Sequence, residues 1–386
     1  MANRRTKPVG KWQIINGGLR MVGGLFVLMW RGGAFGSTFS EESFATNKQM
    51  GSDTEQRRIL VTGATGFVGR CLCSHLTTAG YVVVAVGRQK QPGPWEQFVV
   101  ADLEREVPHA SCFDGLWGIV HLAGIAHVSI APTAEHNPYF ALSVDATQRL
   151  LEMARSCGIE RFLYMSSVKT MGEGNPREIP LRPIDETWPY SLQSSYGLAK
   201  LKGEGLVLAS GLPHPVVLRP PMVFGLDNPG NLPRMREAIR NKRFPPLEDN
   251  GNRRSMIHVE DLAEYAKRAL EISCAANQVY IVCHEEAVST RQLYDALLEG
   301  IGGPPVTFAI PIKLLKMAAV FGSVCSVITS KSVPFDREVF YKLTGSAWYD
   351  GSLACRELGF SARYSVLEWA RLPENGILHS DVQSAD

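Results

Sequence analysis

The sequence predicts an α/β fold, a doubly wound parallel sheet with a smaller C-terminal α/β part, and three observations predict it. From Arg58 onward, short β-branched runs alternate with amphipathic segments, the pattern of a parallel sheet covered by helices on both faces. The first such run, Ile59 to Thr62, passes directly into a glycine-punctuated turn and then a helical stretch. The 386 residues are 45% apolar, enough to bury a full core.

In chain order, strands are predicted at Ile59 to Thr62, Val82 to Val86, Phe98 to Ala101, Gly118 to Leu122, Phe162 to Ser166 and Val216 to Leu218. Helices are predicted between them at Val68 to Thr78, Tyr139 to Cys157 and Ser195 to Ala209, with Gly80 and Gly158 just past helix ends, where a residue tolerant of positive φ is wanted. Beyond Gly225 comes a loop rich in Pro, Asn and Gly, then a basic helix from Leu232 to Lys242. A helix from Glu260 to Ile272 and a strand from Val279 to Val282 return to the sheet. Ser289 reads as the N-cap of a helix to Gly300, followed by the run Val306 to Ile310 and an apolar helix from Ile312 to about Ile328. Of that helix, the stripe Met317, Phe321, Val324, Val327 and Ile328 is expected in the core, with association at an interface as the alternative.

Forty basic against thirty-eight acidic residues leave a formal charge of +2, too weak a field to point to nucleic acid. The eight cysteines (Cys71, Cys73, Cys112, Cys157, Cys274, Cys283, Cys325 and Cys355) form no CxxC pair, and reduced thiols in a cytoplasmic compartment are expected. His121 and His127 lie close together but without a carboxylate or cysteine at ligand spacing, so no metal site is expected. Near the N-terminus Arg4, Arg5, Lys7, Lys11 and Arg20 precede the apolar run Met21 to Trp30, which is too short to span a bilayer. Residues 1–56 are read as an extension outside the folded part, with Met50 an alternative start.

The run Thr62-Gly63-Ala64-Thr65-Gly66-Phe67-Val68-Gly69 carries the first chemistry. One glycine allows a tight turn, the next lets backbone approach a pyrophosphate, and the third lets helix pack on strand, while the helix N-terminus supplies unpaired N–H groups. This is a Rossmann dinucleotide site in outline. At the end of the second strand, roughly twenty residues on, NAD-binding chains carry a carboxylate for the adenosine ribose. Here Gly87 is followed by Arg88, whose guanidinium can pair with a 2′-phosphate, which tilts the expectation from NAD to NADP. Asp102 closes the third strand, placed to accept from the adenine amino group.

Tyr196-Gly197-Leu198-Ala199-Lys200 sets a phenol and an ammonium one helical turn apart on one face. A neighbouring cation stabilises phenolate and so lowers a pKa that is otherwise about 10. The order of glycine turn, Ser166-Ser167 at a strand end and then Tyr-x-x-x-Lys raises the pair above a chance match.

With these residues in view, the sequence resembles the extended short-chain dehydrogenase/reductases, the NAD-dependent epimerase/dehydratase group, over about Arg58 to Leu372. The matching stretches are Thr62 to Gly69, Val120 to Gly124, Tyr164 to Lys169, Tyr196 to Lys200, Leu218 to Gly225 and Arg254 to Leu262. Within the group it is most similar to bacterial UDP-hexose 4-epimerases and 4-ketoreductases of surface-polysaccharide pathways. The resemblance implies hydride transfer at sugar C4, with Ser167, Tyr196 and Lys200 catalytic. It implies that NADP or NAD lies against Gly63, Thr65, Gly66, Phe67, Val68 and Gly69, then Arg88, Asp102, Leu103, Leu122, Ala123, Gly124, Ser166, Pro220 and Val223, besides Tyr196 and Lys200. Lys169, Asn231 and Arg254 would contact a nucleotide-diphosphate sugar, Arg254 through its diphosphate.

The implied organisation is a dinucleotide-binding part over 57–225 and 252–284, a substrate-binding part over 226–251 and 285–372, and a tail over 373–386. A cytoplasmic homodimer without an integral membrane span is expected, with peripheral association left open. One departure stands out: Ser143-Val144-Asp145-Ala146-Thr147 replaces the usual Asn-Val-x-Gly-Thr. Two other readings share part of this evidence: an NADP-dependent ketone or hydroxysteroid-type dehydrogenase, and a non-catalytic NADP-sensing regulator, which typically lacks the Tyr–Lys pair.

Overall fold

A computed structural model describes residues 56–125, 137–172, 182–188, 194–329 and 335–373. The N-terminal apolar run and His127 lie outside the described residues.

Among the described residues nine strands form in chain order: β1 (Arg58–Thr62), β2 (Val82–Gly87), β3 (Gln97–Val100), β4 (Leu116–His121), β5 (Arg161–Met165), β6 (His214–Arg219), β7 (Met222–Phe224), β8 (Met256–His258) and β9 (Gln278–Ile281). Seven of them pair, all parallel, in the order β3-β2-β1-β4-β5-β6-β9. The helices are α1 (Phe67–Thr78), α2 (Pro138–Phe140), α3 (Ala146–Ser156), α4 (Ser195–Leu208), α5 (Asn231–Arg240), α6 (Val259–Glu271), α7 (Thr290–Gly300), α8 (Ile312–Thr329), α9 (Arg337–Thr344), α10 (Ser352–Leu358) and α11 (Val366–Arg371).

The side-chain alternation of a strand splits the core in two. Ile59 and Val61 of β1 point to a cluster with Leu72 of α1 and Leu262 and Tyr265 of α6. Leu60 points the other way, to Leu150 of α3, Phe162 and Val207 of α4. Each of these is fully buried, so a Leu60→Ala cavity would cost about 2–5 kcal/mol. A third cluster joins Phe224, Leu232, Leu293, Leu297 and Trp369. Strand order reverses between β1 and β4, with β2 and β4 flanking β1 (Leu60 opposite Val84 and Ile119), and ligands of such sheets bind beyond the strand ends at that reversal.

The predicted strands and helices through β6 form within a few residues of their expected bounds. Gly80 and Gly158 take φ of +86° and +69°. Ser289 caps α7 through a reciprocal box with Gln292. The run Val306 to Ile310, given no element type by the sequence, forms a single bridge from Ile310 to Leu247. Three features differ. β7 and β8 pair as a separate two-stranded sheet, each too short to show a period. The segment that ends at Asp145 winds as a π-helix over Ala141–Asp145, with Ser143 buried and its carbonyl accepting from Tyr164 and Thr147. Met317, Phe321 and Val324, expected in the core, are exposed: periodicity identifies a face but not what covers it. Among the described residues no helix is long and apolar enough to cross a membrane.

Candidate active site

The crevice begins where β1 ends. Gly63 turns the chain at φ +69°, and Gly66 is the N-cap of α1 but has no side chain with which to cap it. The first turn of α1 carries no acidic residue, so its N–H groups face outward with the helix dipole unopposed. A Cβ on Gly69 would lie 2.1 Å from the Gly63 carbonyl oxygen, a contact that forbids any other residue there. This uncapped, uncharged helix start and its close-packed glycines suit a dinucleotide pyrophosphate. A Cβ on Gly87 would meet Thr65 Cγ2 at 3.5 Å, so the end of β2 adjoins the turn, and Arg88 stands exposed at the next position. Asp102 uses Oδ1 to accept from the Glu104 N–H at 3.3 Å, and Oδ2 lies 3.6 Å from Arg105 Nε. Leu103 beside it is buried, its carbonyl accepting from Arg149 at 2.7 Å.

On the far side of the reversal, β4 ends at His121, which is fully buried. Its Nε2 faces the Leu142 carbonyl at 3.2 Å and must donate there, so Nδ1 accepts the Thr62 hydroxyl proton at 2.7 Å. Thr62 Oγ1 in turn accepts the Ala123 N–H at 3.2 Å. Desolvation, then the Lys200 charge, push the imidazole down to about 3, so it is neutral at physiological pH. His121 thus fixes the turn of Leu122, Ala123 and Gly124 to the end of β1.

Helix α4 opens on a Ser194 cap whose Oγ accepts the Gly197 N–H at 3.1 Å. Gly197 is needed for packing: a Cβ there would lie 2.4 Å from the Lys169 carbonyl oxygen. That close approach brings Tyr196 to the short 3₁₀ turn after β5, where its hydroxyl is hydrogen-bonded to Ser167. The Tyr139 ring closes the other side, edge-on at 5.7 Å between centroids. Burial pushes the Tyr196 phenol up to about 12, more than the Ser167 hydrogen bond lowers it.

Lys200, one turn on, is buried, donates to the Met165 carbonyl at 2.7 Å and lies 4.6 Å from the Tyr164 ring centroid. A Cβ on Gly124 would sit 3.3 Å from its Nζ, which places the ammonium against the β4 turn. Desolvation lowers Lys200 to about 8, and Glu204 raises it. The sequence expectation that the ammonium lowers the phenol is not met in this structure, because the ammonium is committed to Met165 and desolvation of the ring wins.

A second turn along α4, Glu204 accepts from Ser166 Oγ at 2.5 Å and from the Arg219 guanidinium at 2.9 and 2.6 Å. The sequence reading missed this network, although a carboxylate eight residues after Tyr196 on the same face, and an arginine closing the apolar strand β6, were its visible signals. Pro220 follows that arginine, its carbonyl accepting from Val168 at 3.2 Å, and Val223 lies in β7.

Lys169 and Arg254, both expected at the substrate, lie close enough to repel, together with Lys342 of α9. Arg254 Nη2 donates to the Lys342 carbonyl oxygen. Lys169 remains accessible to solvent, yet partial desolvation, then Arg254 and Lys342, push its ammonium down to about 8. Lys342 was not foreseen, because it is brought in by a helix 88 residues after Arg254. Asn231 is exposed at the first position of α5, and among the described residues no hydrogen bond joins it to these groups. No cluster of three or more His, Cys, Asp or Glu suited to a metal occurs among the described residues.

The sequence profile of the NAD dependent epimerase/dehydratase family matches residues 59–283. A UDP-glucose 4-epimerase of Vibrio cholerae is 28% identical over 319 residues, which are 81% of this chain and 93% of that protein. A 4-hydroxy-2-methyl-3-oxo-4-farnesyl-3,4-dihydroquinoline-1-oxide ketoreductase of Stigmatella aurantiaca is 27% identical, over 79% of this chain and 92% of its own. Among solved structures, UDP-glucuronic acid 4-epimerase from Bacillus cereus in complex with NAD superposes with a TM-score of 0.60 at 21% identity, over 83% of this chain and 99% of that one, a likeness of fold.

Proposed function

We propose that this chain, which belongs to the NAD dependent epimerase/dehydratase family and is an NAD(P)-dependent enzyme of that type, acts on a nucleotide-diphosphate hexose as a 4-epimerase or 4-ketoreductase. One observation carries the choice of substrate: Lys169, Arg254 and Lys342 meet close to Ser167. A convergence of three cations is complementary to a diphosphate, which supplies two charges of the opposite sign.

The Rossmann turn Gly63 to Gly69 would hold the cofactor pyrophosphate, Arg88 the adenosine ribose end, and Asp102, Leu103, Leu122, Ala123, Gly124, Ser166, Pro220 and Val223 the remaining wall. When bound, NAD or NADP supplies hydride exchange with the sugar carbon C4. The protein's own residues do the rest. Ser167 and Tyr196 hydrogen-bond the C4 oxygen, so charge developing on it meets donors already in place. Tyr196 is held protonated, the form that gives a proton to a developing alkoxide, and it takes that proton back in the opposite direction. Lys200 presents a buried ammonium, anchored on the Met165 carbonyl, towards the nicotinamide end. Asn231 would contact the sugar nucleotide after movement of the loop that precedes α5. Residues 226–251 and 285–372 would form the substrate-binding part.

A homodimer paired through α3 and α4, working in a reducing cytoplasm on surface-polysaccharide precursors, completes the reading. Cys73, Cys112, Cys157, Cys274, Cys283 and Cys355 are thiols, in keeping with such a compartment. The Stigmatella relative favours a second reading, a reductase of an apolar ketone. Three convergent cations have no part in that reading, which is why it stands second. Incubation with UDP-glucose, UDP-N-acetylglucosamine and a UDP-4-keto-6-deoxy sugar, followed at 340 nm and by product stereochemistry, separates the readings. Net loss of NADPH marks a reductase, an epimer without absorbance change marks an epimerase, and turnover of none of the three sinks the nucleotide-sugar reading.

A further inference from the structure

Six large apolar side chains stand exposed on the described surface, and five of them belong to one short stretch of chain. Leu314, Met317, Phe321 and Val324 of α8 range from 50% (Val324) to 70% (Phe321) exposed, and Phe308, four residues before the helix, is 66% exposed. Spacings of three, four and three residues put the four helical side chains on a single stripe. The opposite face is used by the fold, where Ala319 and Gly322 are buried and α9 packs against the helix. The exposed stripe is therefore not a core face left over from poor packing.

Charge identifies what covers it. Lys313 and Lys316 are exposed along the flank of the stripe, and no Asp or Glu occurs in the 18 residues of α8. Pairing of two copies through this helix would set lysine beside lysine if parallel. If antiparallel, it would set the lysines against a C-terminal half that has no carboxylate. An anionic bilayer surface takes the apolar stripe into its headgroup boundary and the two ammonium groups onto its phosphates. A helix of 18 residues, about 27 Å long, lies along such a surface, and it does not meet the requirements for crossing one.

We propose that α8 is an interfacial helix that seats the protein on an anionic lipid surface through Leu314, Met317, Phe321 and Val324, with Lys313 and Lys316 on the lipid phosphates. This goes beyond the activity proposed above and holds whichever sugar nucleotide is turned over.

The test is co-sedimentation of the full chain with vesicles of phosphatidylcholine plus phosphatidylglycerol, and with phosphatidylcholine alone. The wild type is expected to sediment with the anionic vesicles, and a Met317→Gln/Phe321→Gln variant to partition at least about tenfold more weakly, each buried side chain being worth more than that factor. Lys313→Gln/Lys316→Gln, which leaves the apolar stripe intact and guards against misfolding of the first variant, should lose the preference for anionic vesicles. Circular dichroism confirms that both variants are folded. The proposal is overturned if the wild type ignores anionic vesicles or if neither variant weakens its binding. It is overturned equally if light scattering without lipid shows a dimer that the Met317→Gln/Phe321→Gln variant dissociates, for the occupant is then a second copy.

Discussion

Arg219 holds Glu204 in a bidentate ion pair, Nε to Oε1 at 2.9 Å and Nη2 to Oε2 at 2.6 Å, with each side chain only 2% exposed. Because Glu204 also accepts from Ser166 and sits one turn beyond Lys200, the pair ties the helix that carries Tyr196 and Lys200 to the ends of both β5 and β6. Removal of one partner leaves the other charge buried. Glu204→Gln is expected to cost about 3–5 kcal/mol in urea unfolding, and an apolar double replacement, Glu204→Leu/Arg219→Met, to recover most of it. A double replacement no more stable than the single would show that the network contributes more than charge compensation.

Tyr196→Phe keeps the ring that packs on Tyr139 and removes only the hydroxyl bonded to Ser167. Turnover should fall by about 10²- to 10⁴-fold while the Kd for NADPH, read by fluorescence titration, stays within about twofold of wild type. Retained turnover would remove Tyr196 from its proposed role.

Lys200 gives activity and stability opposite pH trends. Its native pKa of about 8 lies below the ordinary 10.5, so between those values the unfolded chain keeps a proton that the native state has released. Stability contributed by this group therefore rises with pH from about 8 towards 10, whereas turnover, which needs the ammonium, falls over the same range. Relative to Lys200→Met, the wild type should gain stability between pH 7.5 and 9.5 by chemical denaturation while kcat declines. Parallel pH slopes for the two proteins would place the titration elsewhere.

Lys169 is likewise pushed down to about 8, by partial desolvation and then by the charges of Arg254 and Lys342 rather than by the phenol. Its loss of charge should appear in KM for a diphosphate-bearing substrate, which rises above about pH 8 with little change in kcat. Lys169→Gln should show the high KM at every pH. An unchanged profile would place the diphosphate away from this cluster.

Arg88→Asp replaces a guanidinium beside the glycine turn with the carboxylate that discriminates against a 2′-phosphate. The ratio of kcat/KM for NADPH to that for NADH should fall by at least about tenfold, worth 1.4 kcal/mol. No change would mean that Arg88 does not face the ribose.

What could be read from the residues was whatever lies within one element or one turn. The glycine turn, the Tyr196–Lys200 spacing and the caps at Ser289 and Gly158 are local relationships, and each appears at its expected place. Glu204 with Arg219, His121 with Thr62, and Lys342 with Arg254 join elements 15 to 88 residues apart, and neither spacing nor periodicity encodes such meetings. The pKa of Tyr196 went against expectation for the same reason: the sequence places a cation one turn away but not the Met165 carbonyl that claims it. The exposed stripe of α8 shows the limit from the other side, since an apolar face at helical spacing looks the same whether a core or something outside the molecule covers it.

The most direct test of the central claim is the configuration at sugar C4, read by NMR with absorbance at 340 nm, after wild type and Tyr196→Phe are each incubated with the UDP-hexoses named above and NADPH. The expected result is inversion or reduction at C4 by the wild type and none by the variant, with an equal cofactor Kd for both. The contrary result is no change at C4 of any sugar nucleotide by the wild type while it reduces an apolar ketone with NADPH.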